Sequence, residues 1–158
     1  MSAAGAPAIT LVDEADLADL LPLMRAYCDF YEVAPSDDDL LALSRSLIAD
    51  PERDGIQLLA RAEDGAPLGF ATVFWTWSTT RAARIGVMND LFVAPEARGA
   101  GGGRVGEALI AACRERCRAR GITSLTWQTA LDNTRAQALY DRVGARRSRW
   151  LDYDLPVR

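Results

Sequence analysis

A glycine-rich segment between an apolar run and an amphipathic stretch constrains this chain more than any other feature. The apolar run covers residues 85–93 and the amphipathic stretch covers 105–120. Glycine permits positive φ angles and leaves backbone amides accessible, and a helix N-terminus favours negative charge. The segment therefore predicts a strand, a phosphate-binding turn and a helix start, with a flexible surface loop as the alternative. Its glycines lie between two arginines that can add charge-assisted hydrogen bonds: Arg98, Gly99, Gly101, Gly102, Gly103 and Arg104.

Two absent residue types exclude several kinds of site. The 158 residues include no histidine, and all 18 basic residues are arginine. Without histidine there is no histidine triad or histidine metal site, and without lysine there is no Gly-Lys-Ser/Thr phosphate loop and no Schiff base. Three cysteines are too few and too badly spaced for a zinc site, so no metal is predicted. Cys113 and Cys117, one helical turn apart, are expected to be small buried hydrophobic residues rather than a disulfide.

Acidic and basic residues are unevenly distributed along the chain. Residues 1–64 carry 14 acids and four arginines, and residues 65–158 carry eight acids and 14 arginines, so −10 and +6 give the net −4. The basic half suits an anionic ligand at the glycine segment and the acidic half a cationic one, with solvated helix faces as the alternative. An acidic chain with no bilayer-length apolar run predicts no nucleic-acid or membrane partner. The odd cysteine count and the lack of a secretion signal predict a cytoplasmic location.

The hydrophobic pattern predicts an α/β or α+β fold with a mixed sheet. A disordered tail is expected at residues 1–7 and a single domain at 8–158. Pro22 predicts a kink or a late start in the first helix. A strand before each later helix predicts a parallel strand–helix–strand crossover. Strands are predicted over residues 8–12, 57–63, 68–77, 84–93, 122–129 and 147–155, and helices over 13–31, 37–49, 105–120 and 133–143.

A second motif accompanies the glycine segment. The sequence Asn-Thr-Arg-Ala-Gln-Ala-Leu-Tyr, from Asn133 to Tyr140, begins the last predicted helix. Together with Arg-Gly-Ala-Gly-Gly-Gly at 98–103, it resembles the GNAT superfamily of acetyl-CoA-dependent N-acetyltransferases, over nearly the whole chain. A dinucleotide-binding fold is less consistent, because such a loop normally opens its domain and an acidic residue normally ends the next strand. The resemblance implies a GNAT fold, with a central mixed sheet of six to seven strands flanked by about four helices.

The resemblance also implies a cofactor, acetyl-CoA, and the residues that bind it. One strand would pair its backbone with the pantetheine arm and polarise the thioester carbonyl, and the glycine turn would hold the pyrophosphate. Tyr140 matches the tyrosine beside the cofactor sulfur, where a protonated phenol can donate to the departing thiolate; a core aromatic is the alternative. The implied cofactor contacts are Leu91, Phe92, Val93, Arg98, Gly99, Ala100, Gly101, Gly102, Gly103, Arg104 and Asn133.

The implied reaction is direct acyl transfer to a primary amine in a ternary complex. The amine must lose a proton, and with no histidine the base is expected to be a carboxylate or water ordered by one. The stretch Asn89–Val93 is similar to a stretch in polyamine acetyltransferases of this superfamily, but Asn89 replaces the glutamate usually proposed as base. Asp90 is therefore the candidate base, with a structural hydrogen-bonding role as the alternative.

The acceptor is expected to be a small cationic amine. In this superfamily the region between the first two helices usually forms one wall of the acceptor site, and aromatic side chains with nearby carboxylates suit a cation. The candidate acceptor-binding residues are Tyr27, Tyr31, Glu32, Trp75 and Asp90, with core packing and helix capping as the alternative. A catalytically quiet acyl-CoA-binding sensor or regulatory module is the second functional hypothesis. Homodimerisation is common in the superfamily, and the residues neither favour nor oppose it.

Overall fold

A computed structural model describes residues 5–98 and 102–157 of the chain. The chain divides into two compact units, Met1–Gln128 and Thr129–Arg158. No helix in the described ranges is both long enough and apolar enough to cross a membrane.

The first unit contains one sheet of five strands in the order β1-β2-β3-β4-β5. Each strand from β1 to β4 runs antiparallel to its neighbour, whereas β5 runs parallel to β4. The parallel pair is joined by helix α3, which confirms the predicted crossover. The strands are β1 (Ala8–Leu11), β2 (Gly55–Arg61), β3 (Pro67–Ser78), β4 (Ala83–Val93) and β5 (Leu125–Thr126).

Helices α1 (Leu17–Phe30) and α2 (Asp37–Ala49) cover one face of the sheet. A 3₁₀ turn at Glu14–Asp16 precedes α1, so this helix starts late, and Pro22 lies inside it. Ser36 caps α2, because its hydroxyl oxygen accepts from the Asp39 N–H at 3.1 Å. The core on this face joins α1 to the strands through Val12, Leu17, Leu20, Leu23, Met24, Cys28, Leu40, Leu59, Phe70, Phe92 and Ala94.

Helix α3 (Gly102–Ala119) packs on the other face. It buries Val105, Leu109, Ile110, Cys113 and Cys117, so the two cysteines are the buried free thiols that the sequence predicted. The approach to β4 is close: a Cβ atom on Gly86 would lie 2.7 Å from the Cys117 Sγ. Glycine at this position therefore sets how near α3 lies to β4.

The second unit contains helix α4 (Thr134–Arg142). Two predictions about the sheet are wrong, and one of them concerns a segment of this unit. The described residues form five strands rather than six to seven, and residues 147–155 form no strand. A strand needs a neighbour to satisfy its backbone groups, and among the described residues none pairs with this segment. Its first residue, Arg147, instead forms an ion pair with Asp141 of α4 at 2.6 Å. The predicted strand at 122–129 is reduced to the two residues of β5.

Candidate active site

Strand β4 carries a bulge at the centre of the sheet. Thr72 lies opposite Asp90 and Val73 lies opposite Met88, so Asn89 is an extra residue on β4. A bulge bends its strand and re-aims the neighbouring side chains, and bulges are frequent beside active sites. This one directly precedes Asp90.

Strand β4 also has an unpaired length of backbone. Its pairing with β5 comprises Gly86↔Leu125 and Val87↔Thr126, and from residue 88 to residue 93 no strand of the described chain covers the edge away from β3. We call this length the open edge. The Ala94 N–H donates to the Leu68 carbonyl of β3 at 2.8 Å, so by alternation the N–H groups of Val93 and Leu91 point away from β3. The Val93 carbonyl on that side accepts from Arg98 Nε at 2.6 Å.

Asp90 is a buried carboxylate with no cationic partner among the described residues. The residue is 9% exposed. The Asn89 side-chain amide donates to Asp90 Oδ1 at 2.9 Å, and the hydroxyls of Thr72 and Tyr27 face the carboxylate and favour its charged form. Burial raises the pKa of Asp90, because it penalises the charged form, and these three donors offset only part of the rise. A carboxylate with a raised pKa is a better proton acceptor than an ordinary one.

Tyr27 links this carboxylate to a cluster of aromatic rings. Its ring packs edge-on against Tyr31, Phe70 and Phe92, with centroid distances of 5.0, 5.8 and 6.1 Å. The Tyr27 hydroxyl donates to the Asn89 backbone carbonyl at 3.3 Å, and it also faces the Asp90 carboxylate, whose pKa it lowers. Burial and the charge of Asp90 both raise the pKa of Tyr27, so its phenol keeps its proton at any ordinary pH.

The end of α1 places exposed acidic and aromatic groups at the rim of this cluster. Tyr31 and Glu32 follow the last turn of the helix, and both are exposed. Glu32 adopts a left-handed conformation with φ of 56°, which turns the chain away from the helix. Arg25 is the basic residue of α1, and it is held by Asp37 and by the Pro35 carbonyl. The structure therefore brings together three of the predicted acceptor residues, Tyr27, Tyr31 and Asp90.

Trp75 lies on the other side of the sheet. It is 6% exposed, its indole N–H donates to the Pro51 carbonyl at 2.9 Å, and the Arg120 guanidinium lies 4.8 Å from its ring. Side chains alternate along β3, so Trp75 shares the α3 face with Val73, whereas Thr72 faces α1. Trp75 is thus separated by the sheet from the other candidate acceptor residues.

The predicted phosphate site is described only at its borders. Arg98 is half-buried, with its guanidinium 5.1 Å from the Phe92 ring. Gly102 begins α3, Gly103 follows it, and Arg104 is exposed in the first turn. Gly99, Ala100 and Gly101 lie outside the described residues.

The second unit carries the other two predicted site residues. Asn133 caps α4, since its side-chain oxygen accepts from the Ala136 N–H at 3.2 Å. Tyr140 is half-buried on the same helix.

Comparisons with known proteins identify the family. The acetyltransferase (GNAT) family matches residues 20–145. This chain belongs to that family. Over 130 residues, 82% of this chain and 83% of the relative, it is 35% identical to YhfO, an uncharacterised N-acetyltransferase of Bacillus subtilis strain 168. Over 112 residues, 69% of each protein, it is 33% identical to aminoglycoside N(6')-acetyltransferase type 1 of Stenotrophomonas maltophilia.

Solved structures share the fold of this GNAT family member. A crystal structure of a probable acetyltransferase matches with a TM-score of 0.82 at 25% identity, covering 96% of this chain and 98% of that one. Aminoglycoside N-acetyltransferase AAC(6')-Iy in complex with CoA matches with a TM-score of 0.82 at 18% identity, covering 98% and 97%. The family and the α/β GNAT fold predicted from the sequence are thus confirmed.

Sequence reasoning missed two residues of this GNAT site. Thr72 and Gln57 lie behind Asp90 on β3 and β2, and both are buried polar residues in otherwise apolar strands. A polar residue at a position that the pattern assigns to the core is the signal that marks them, because a buried polar group needs a partner. The partner itself depends on the strand register, which the sequence pattern alone does not give.

Proposed function

We propose that this GNAT family member transfers an acetyl group from acetyl-CoA to a primary amine of a small cationic acceptor, by direct attack in a ternary complex. The single observation that carries the proposal is the position of Asp90. Its buried carboxylate has a raised pKa, and the residue lies within the open edge of β4. A proton acceptor and a row of backbone donors are thereby adjacent along one strand.

The residues at the open edge fit the coenzyme. Acetyl-CoA is an extended molecule with amide groups in its pantetheine arm and a diphosphate further along, and it supplies an acetyl thioester. The N–H groups of Leu91 and Val93 suit the amide-bearing arm, since they point away from β3. The start of α3 suits the diphosphate, because first-turn N–H groups lack partners within their helix, and Arg104 adds a charge there.

Asp90 would remove the proton from the incoming ammonium group. An alkylammonium has no lone pair until it is deprotonated, and its proton is held far more tightly than that of an ordinary carboxylic acid. Burial makes the difference between the pKa of the ammonium group and the pKa of Asp90 smaller, because it raises the pKa of Asp90. No arginine pairs with the carboxylate in the described residues, so among them no cation lowers its basicity.

Tyr140 would return a proton to the departing thiolate. A phenol ordinarily keeps its proton at neutral pH and can donate it to a stronger base. The residue lies on α4 of the second unit, at the position that the family resemblance assigns to the acid.

The acceptor is proposed to be a cation because aromatic and acidic groups meet at the α1 end of the site. The rings of Tyr27 and Tyr31 can receive a positive charge, while the carboxylates of Asp90 and Glu32 attract one. The 33% identical relative from Stenotrophomonas maltophilia is named as an aminoglycoside acetyltransferase. Aminoglycosides and polyamines both present several cationic amines, so both are candidate acceptors.

The test is thiol release from acetyl-CoA against a panel of aminoglycosides, polyamines, diamines and amino acids. We expect turnover with a multiply charged amine and its loss in the Asp90→Asn variant. An Asp64→Asn variant is the matched control, since this exposed carboxylate lies in the turn between β2 and β3. Tight coenzyme A binding without turnover on any amine would contradict the proposal and favour the acyl-CoA sensor.

A further inference from the structure

A row of three buried polar side chains crosses the sheet behind the proposed base. Gln57 on β2 lies directly opposite Thr72 on β3, which lies directly opposite Asp90 on β4. The residues are 3%, 0% and 9% exposed, so all three are closed off from solvent. Buried polar groups are costly unless they bond to one another, and this row joins three neighbouring strands.

The hydrogen bonds along the row have one consistent direction. An amide nitrogen only donates, and Gln57 Nε2 donates to the Thr72 Oγ1 at 3.2 Å. Thr72 therefore has its own hydroxyl proton free for another acceptor, and the Asp90 carboxylate lies directly opposite on β4, where the threonine hydroxyl lowers its pKa. An ionised carboxylate accepts only, so the opposite direction would leave Asp90 without this donor.

The Gln57 amide is itself held in place. Its Nε2 also contacts the Met24 Sδ at 3.6 Å, and the Ser44 hydroxyl contacts the same sulfur at 3.7 Å. Both amide hydrogens thus have directions fixed by buried neighbours on α1 and β3. Ser44 does not belong to the row, since it shares only the sulfur with Gln57.

We propose that Gln57 is a positioning residue for the acetyl-transfer base: by donating to Thr72, it directs the threonine proton at Asp90. The inference rests on the proposed function of Asp90. It assigns a task to a side chain two strands away from the reacting groups. Chains of hydrogen bonds polarise one another in a buried setting, so a threonine that accepts from an amide is a stronger donor.

The remaining groups that face Asp90 in the first unit do not titrate in the working range. Tyr27 and Cys28 of α1 face it, and burial raises the pKa of each, so both stay neutral near pH 7. Asn89, Thr72 and Gln57 do not titrate, and Arg25 is held by Asp37. Changes in the titration of Asp90 on mutation of the row can therefore be assigned to the row.

The test measures the titration of Asp90 in two ways, by the acid limb of the kcat/KM profile and by the carboxylate ¹³C shift. The resonance is assigned by its loss in Asp90→Asn. Removing the donor in Thr72→Val should raise the midpoint by about one pH unit, which corresponds to about tenfold in rate on the acid limb. Gln57→Leu should raise it by a smaller amount, because the threonine hydroxyl remains but loses its orientation.

Two controls separate positioning from packing. Thr72→Ser keeps the hydroxyl and should retain the wild-type midpoint. Ser44→Ala removes a buried polar group from the same neighbourhood without touching the row, and should also retain it. A wild-type midpoint in Gln57→Leu, or in Thr72→Val, overturns the inference.

The ¹³C shift distinguishes failure of this inference from failure of the proposed function. If no amine is acetylated but the midpoints move as expected, the row positions Asp90 and the proposed activity is wrong. If transfer depends on Asp90 but the midpoints do not move, the activity stands and Gln57 is only a packing residue.

Discussion

Replacing Gly86 by alanine tests how closely α3 must pack on β4. The glycine makes the first of the two pairings between β4 and β5, and α3 begins beside the glycine-rich segment. An added Cβ atom would lie 2.7 Å from the Cys117 Sγ, 3.3 Å from Leu125 Cδ1 and 3.4 Å from Val73 Cγ1. The first contact is about 1 Å too short for a carbon and a sulfur atom, so α3 or the sheet must move.

The expected loss follows from two opposing effects. Overpacking a buried site typically costs about 1–3 kcal/mol. Alanine regains roughly 0.5–1 kcal/mol by restricting the unfolded chain, since glycine in a strand interior loses the most freedom on folding. We therefore expect Gly86→Ala to lower the free energy of unfolding by about 1 kcal/mol, and by at most about 2.5 kcal/mol; a loss of 1 kcal/mol corresponds to about 2–4 °C in Tm for a domain of this size.

A double-mutant cycle decides whether the sulfur is the cause. Urea unfolding followed by tryptophan fluorescence suits the assay, because Trp75 is buried opposite Gly86. Cys117→Ala removes the clashing atom, so the double variant should lie within about 0.5 kcal/mol of Cys117→Ala alone. The matched control is Cys113→Ala, a buried cysteine one turn earlier in α3. Additive losses in the Cys117 cycle, equal to those in the Cys113 cycle, would refute the reasoning.

Three further predictions concern the site. Asp90→Asn should lower kcat/KM about 100-fold or more yet raise the free energy of unfolding at pH 7. The pKa of Asp90 is higher in the folded protein than in the unfolded chain. Protonated Asp90 therefore stabilises the fold at pH values below its unfolded-state pKa, and this stabilisation is lost as the pH rises through its folded-state pKa. Urea titrations should therefore show that the stability gained by Asp90→Asn becomes smaller toward pH 4. A gain that stays constant with pH would contradict the raised pKa of Asp90. Tyr140→Phe should slow turnover about 100-fold with calorimetric coenzyme A affinity unchanged; an unchanged rate would remove the acid role. Gly103→Glu should abolish coenzyme A binding by calorimetry through like-charge repulsion, whereas Arg118→Ala, at the far end of α3, should not.

Local signals in the sequence predicted the parts of the fold that depend on neighbouring residues. Helix caps at Ser36 and Asn133 were predictable because a short polar side chain precedes each apolar periodic stretch. The hairpin turn at Asp64 and the parallel pairing of β4 with β5 follow from equally local patterns. The segment 147–155 has a strand-like pattern too, but a strand exists only beside a partner, and the pattern does not supply one.

The site needed information that no local pattern carries. Asp90 was predictable as the one carboxylate of its strand, but its neighbours were not. The bulge at Asn89 changes the register between β3 and β4, and the register decides that Thr72 faces Asp90. Trp75 is a second example. The alternation of side chains along its strand was visible in the sequence, but the sequence did not show which face of the sheet Trp75 would occupy.

Two carboxylates of this fold show why Asp90 can act as a base. Asp16 lies beside Arg61 at 2.8 Å. Burial alone would raise the pKa of Asp16, but the hydrogen bonds from Arg61 and from Asp13, together with the charge of the arginine, outweigh burial and the pKa falls. Asp90 is surrounded instead by neutral donors from Thr72, Tyr27 and Asn89. Neutral donors orient a carboxylate without fixing its charge, so burial remains the dominant effect and the group keeps its affinity for a proton. An arginine in place of any of these donors would stabilise the ionised form of Asp90 and make the carboxylate less basic. A carboxylate paired with an arginine is expected of a structural residue rather than of a proton acceptor.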